Sequence, residues 1–139
     1  MPEHCAANNE GARPSRLRKP PVSLNTENLQ FAGRTDAGHK RRQNEDCFEA
    51  SPELGRYLVA DGVGGHSCGE VASDLVRTTI TEAVAGGSDL REALQASHNA
   101  VLARIAADEK TQGMGSTAVV LKMDGMHYSL CWVGDSRAY

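Results

Sequence analysis

The residues of this chain best suited to chemistry are three acids that each follow an apolar run and sit beside glycine. In "YLVADGVGGH" Asp61 ends the run 57–60 and is followed by Gly62, Gly64 and Gly65. A carboxylate at the end of a buried strand is costly unless it meets a cation, a metal or backbone donors. The glycines let the backbone pass close to whatever Asp61 binds and leave the Gly62 carbonyl usable as a ligand. An all-oxygen set of carboxylate and carbonyl suits a hard divalent cation such as Mg²⁺ or Mn²⁺. Taken alone, the run reads at least as well as an Asp-Gly turn with ordinary glycines. It has neither the Gly-Lys-Ser/Thr ending of a phosphate-binding loop nor the glycine spacing of a dinucleotide fingerprint.

Two further clusters carry acids of the same kind. "TDAGHKRRQNEDCF" gathers Arg41, Glu45 and Asp46 within one strand-length, and "WVGDSRAY" sets Asp135 in a glycine-flanked turn after an apolar strand. Each by itself fits a salt-bridged edge or a simple turn. Three acidic corners at strand ends converge if those strands lie side by side. His66 follows the glycines, whereas His39, His98 and His127 have no such setting. Lys40 and Arg42 read as solvated charges, and Trp132 as core.

The elements that must position these residues follow from periodicity. "CFEAS" and "RYLVADG" have β-forming character and are split by a Pro-Glu-Leu-Gly turn, which predicts a hairpin. From Gly69 the period changes: Val71, Leu75, Val76, Ile80, Ala83 and Val84 share one side of a helix that "AGG" stops. Asp89 with Glu92 forms a capping box for a second helix striped by Leu90, Leu94, Val101 and Ile105. Strands return in "TAVVLK" and "HYSLCWV", with Asp124-Gly125 predicted as the two-residue turn between them. Strands, two helices, then strands make a segregated α+β fold. Residues 1–30 are polar and proline-punctuated and read as a disordered tail whose basic "RPSRLRKPP" is a docking peptide or a merely solvated run. Residues 31–139 read as the ordered domain.

In this order and spacing, "GHKRRQNED", "VADGVGGH", "GSTAVVL" and "WVGDSRAY" resemble the bacterial branch of metal-dependent protein serine/threonine phosphatases, type 2C. The resemblance implies a four-layer α-β-β-α sandwich of two antiparallel sheets flanked by helix pairs. It implies two or three Mn²⁺ or Mg²⁺ ions, with Asp61 as the shared ligand and Gly62 giving its carbonyl to one ion. Asp46 and Glu45 complete that ion's shell, and Asp135 matches a ligand of a weaker third ion. Arg41 matches the arginine that holds the substrate phosphate, and His66 is a candidate proton donor to the leaving group. The implied reaction is hydrolysis of phosphoserine or phosphothreonine in proteins by metal-activated water, opposing a bacterial Ser/Thr kinase. Family members run on for roughly another hundred residues, a size consistent with two sheets. The chain therefore reads as an N-terminal portion, truncated before further metal ligands and of little activity alone. A non-catalytic phosphoprotein-binding decoy and an inert remnant remain as alternatives.

Bulk composition narrows the partners. A net charge of −3 and few aromatics argue against nucleic acid or an anionic membrane. No apolar stretch approaches the length of a membrane span, and the N-terminus lacks the apolar core of a secretory signal, which predicts a cytoplasmic protein; a monomer is expected. The four cysteines, Cys5, Cys47, Cys68 and Cys131, show no C-x-x-C pair and read as free, reduced thiols.

Overall fold

Alternation along "RYLVADGV" sets the two faces of the sheet. Leu58, Ala60 and Gly62 are buried, while Val59, Asp61 and Val63 between them are exposed. Successive side chains of a strand point to opposite faces, so Asp61 belongs to the face away from the core. The computed structural model describes residues 4–7, 30–39, 43–65 and 68–139. Its strands are β1 (His4–Ala7), β2 (Asp46–Ser51), β3 (Arg56–Val63), β4 (Gly115–Ser116), β5 (Ala118–Asp124) and β6 (His127–Val133). The helices are α1 (Cys68–Ala85) and α2 (Leu90–Ala107). The sheet is antiparallel in the order β1-β6-β5-β3-β2, and β4 continues alongside β3 past the end of β5.

Both helices pack on one face. Ala72, Val76, Ile80 and Val84 of α1 and Leu90, Ala93, Leu94 and Val101 of α2 meet Leu58, Ala60, Ala118, Val120 and Cys131 of the sheet. The α1 stripe is rotated from the expected one: Val71 is exposed, and Ala72 and Ser73 are buried. A small residue at 72 lets helix and sheet approach closely. The capping box forms as expected, with the Glu92 N–H donating to the Asp89 carboxylate at 2.8 Å and the Asp89 N–H to Glu92 at 3.1 Å. This satisfies two backbone donors that a helix start leaves without partners. Among the described residues there is one sheet and one helix pair, half of the sandwich layers that the resemblance implies.

Three details depart from the sequence expectation. The β5–β6 loop is Gly125-Met126, one residue later than predicted, because Asp124 stays paired with His127. Gly125 (φ 57°) supplies the positive φ that a two-residue hairpin needs at its first loop position. The segment expected to be disordered contributes β1, while residues 1–3 and 8–29 lie outside the described residues. Cys131 lies opposite Cys5 in the β1–β6 register and is disulfide-bonded, which corrects the reading of four free thiols. Cys47 and Cys68 are free.

Candidate metal centre

The corner is built by the start of β2 and the end of β3. The register sets Asp46 directly opposite Asp61. At the next pair the Gly62 N–H donates to the Glu45 carbonyl at 3.0 Å. Hydrogen-bonded and non-hydrogen-bonded pairs alternate along an antiparallel ladder, so Asp46 and Asp61 occupy the pair whose side chains come closest. Both are exposed. They line an open depression of about 350 Å³ together with Arg34, Thr35, Asp36 and Ser136. Two like charges facing each other across strands destabilise a sheet. A cation between them reverses that sign.

The main chain of Asp61 is fixed from the opposite side. Its carbonyl accepts the Thr117 N–H at 2.8 Å and the Ser116 hydroxyl at 3.1 Å, and its N–H donates to the Thr117 hydroxyl at 3.0 Å. Gly62 is buried where β3 passes under α1, and a side chain there would run into the Gly69 carbonyl. Gly69 in turn lies under the Glu45 carboxylate, for a Cβ on it would come within 2.6 Å of that oxygen. The Glu45 side chain thus sits over the first turn of α1, where a helix start favours negative charge. Of the two neighbouring acids, Asp46 faces Asp61 and Glu45 leans on the helix.

Asp135 stands exposed in the bend after β6. Arg41 and His66 lie outside the described residues. Among the described residues no three Asp, Glu, His or Cys side chains gather closely enough to enclose an ion. The donors that are present, two solvent-facing carboxylates in register, suit a hard divalent cation and would reach it from one side.

Sequence reasoning missed two contributors. Asp36 lines the same depression, where its carboxylate accepts the Gly38 N–H at 2.8 Å and lies 3.6 Å from the Arg34 guanidinium. Its only signal was the Asp-Ala-Gly turn. Thr117, inside the quoted "GSTAVVL", had no signal beyond its place there. Cys47, next to Asp46, is not a thiolate: burial pushes its pKa up, and its Sγ–H donates to the Ser73 carbonyl at 3.2 Å.

The family model for Protein phosphatase 2C matches residues 22–139. The serine/threonine protein phosphatase PstP of Mycobacterium tuberculosis is 36% identical over 117 residues, covering 80% of this chain and 22% of that protein. The serine/threonine phosphatase stp of Listeria monocytogenes is 32% identical over 119 residues, covering 76% of this chain and 47% of that protein. The crystal structure of the M. tuberculosis phosphatase superposes with a TM-score of 0.71 at 34% identity, over 78% of this chain and 48% of that one. A structure of the PstP catalytic domain in complex with two manganese ions gives 0.70 at 32% identity, over 78% and 49%. The chain spans about half the length of these solved chains, and less of the full PstP protein.

Proposed function

We propose, from the premise that this chain belongs to the protein phosphatase 2C family, that it forms the Asp46–Asp61 side of the active centre of a metal-dependent protein serine/threonine phosphatase. One observation carries this reading: two carboxylates face each other at the closest kind of cross-strand pair, on the solvent side of the sheet. A divalent cation between two facing carboxylates is attracted by both.

In this reading Asp61 would be the shared ligand, Gly62 would offer its carbonyl, Asp46 would complete one shell with Glu45, set over α1, reaching it through water, and Asp135 would serve a weaker ion. Divalent cations, when bound, supply a water acidified toward a pKa of about 7 and positive charge against the phosphoryl oxygens. The chain's own work is positioning. Arg41 holds and orients the phosphate through paired N–H donors. His66 holds the proton that the departing serine or threonine oxygen takes up. The substrate is a phosphorylated protein, the product of a bacterial Ser/Thr kinase, and the setting is the cytoplasm. Mn²⁺ is preferred over Mg²⁺ for the first test because a similar solved structure is a manganese complex.

Thermal unfolding with and without Mn²⁺ tests the reading. Added Mn²⁺ is expected to raise the Tm of the chain, since a ligand bound only to the folded state stabilises it. Asp61→Asn is expected to gain nothing from Mn²⁺. Phosphate release from a phosphothreonine peptide is expected to be slow and to stop on addition of EDTA. A Tm gain that survives Asp61→Asn, or turnover that survives EDTA, overturns the proposal.

A further inference from the structure

The Gly134–Ser136 bend and the Asp61 corner meet at one side chain, Thr117. We propose that Thr117 is a positioning residue whose hydroxyl couples the Asp61 corner to the bend that carries Asp135, and so sets the affinity of the site for a divalent cation. This rests on reading Asp46 and Asp61 as the cation site.

The hydrogen bonds around Thr117 are unlike those of an ordinary ladder. In a regular antiparallel pair, Asp61 and Thr117 would exchange two main-chain bonds. One is present, with the Thr117 N–H donating to the Asp61 carbonyl at 2.8 Å. In the other direction, the Asp61 N–H donates to the Thr117 hydroxyl at 3.0 Å. The Ser116 hydroxyl lies within bonding distance of the Thr117 carbonyl, at 2.8 Å. Thr117 accordingly falls between β4 and β5 and belongs to neither. Having accepted the Asp61 N–H bond, the Thr117 hydroxyl keeps its proton and a second lone pair for other partners. It uses one of these on the Ser136 hydroxyl at 2.7 Å.

Gly134 makes the contact possible. Its φ of 95° is a conformation that side-chain-bearing residues rarely adopt, and a Cβ on it would lie 2.7 Å from the Thr117 methyl. The bend therefore closes onto Thr117 at a distance only glycine permits. The acid that follows, Asp135, sits between Gly134 and Ser136, both tied to Thr117. Any shift of the bend that carries Asp135 is passed through one hydroxyl to the backbone of Asp61. Partners that orient a metal ligand typically account for 10–100-fold in metal affinity.

The test uses the 139-residue chain with the variants Thr117→Val, Thr117→Ser, Ser136→Ala and Asp61→Asn. Mn²⁺ affinity is read from the EPR signal of free Mn²⁺. The Asp61 amide is read by hydrogen exchange and ¹⁵N NMR without metal. Thr117→Val is expected to weaken Mn²⁺ binding about tenfold or more and to strip protection from the Asp61 amide. Thr117→Ser keeps the hydroxyl and is expected to restore both, which a purely packing role of the threonine would not do. Ser136→Ala is expected to move the Asp61 amide resonance and to weaken Mn²⁺ binding in the same direction. Should Thr117→Val fail to fold, the serine and Ser136 variants carry the test. Unchanged affinity in Thr117→Val and Ser136→Ala alongside its loss in Asp61→Asn overturns the inference. So does an Asp61 amide that ignores Ser136→Ala. Absence of Mn²⁺ binding by the parent chain would instead sink the reading of the site, while the amide measurements still decide the Thr117 link.

Discussion

Gly62 leaves no room for a side chain, and the obstacles are main-chain atoms. A Cβ there would overlap the Gly69 carbonyl of α1 and lie 2.8 Å from the Glu45 carbonyl of the neighbouring strand. Neither can rotate away. Gly62→Ala is expected to cost about 1–3 kcal/mol, as overpacking in close contact does, and to lower the Tm in calorimetry. An unchanged Tm would show that the corner has slack that the geometry denies. Gly69 differs, since the atoms nearest to a Cβ on it belong to the Glu45 side chain, which can rotate. The glycine run of the sequence thus divides by role: Gly62 is required by backbone contact, whereas Gly65 has open space around it. Composition could not separate them, because the need at Gly62 comes from a helix start seven residues further on.

At the scale of elements, the caps and bonds that hold helices to strands were partly legible. The Asp89–Glu92 capping box was readable because both halves lie within four residues of sequence. Asp89→Ala is expected to cost about 1 kcal/mol, seen as a lower urea midpoint with an unchanged slope. The bonds between β2 and α1 were not readable. Glu49 accepts from the Thr81 hydroxyl at 2.8 Å and from Arg77 at 3.4 Å, and Arg77 also holds Asp74 at 2.7 Å. Carboxylate hydrogen bonding raises the Arg77 pKa, so the guanidinium stays charged. These partners are separated by 28 and 32 residues, and only the packing of α1 across the sheet brings them together. The rotated α1 stripe has the same origin. Val71 is apolar and fits a helical period, but close packing selects Ala72 and Ser73 for the buried positions.

For the molecule as a whole, the face opposite the helices sets its behaviour in solution. Phe31, Phe48, Val59 and Tyr128 are 49%, 38%, 47% and 49% exposed. Phe31 meets Tyr57 edge-to-face at 6.0 Å, above a depression of about 370 Å³ lined by Phe48, Val59 and Leu121. An apolar surface of this kind promotes association. Phe48→Ser with Val59→Thr is expected to lower the self-association of the chain in light scattering. Equal scattering from parent and variant would show that the face is inert. The metal corner opens on this same face, because strand alternation puts Asp61 beside Val59 and away from Leu58 and Ala60.

Local features were legible along the chain: the hairpin after Ser51, both helices, the capping box, the acids at strand ends, and a four-motif resemblance in the right order. Each of these rests on neighbours within a few residues, where spacing and residue type act directly. That Asp46 faces Asp61 while Glu45 lies over α1, and that Thr117 reaches Asp61 and Ser136 together, came from the packed fold. Those outcomes depend on register between strands. A slip of one residue turns every side chain to the other face, and no periodicity within a single strand records which partner it will meet.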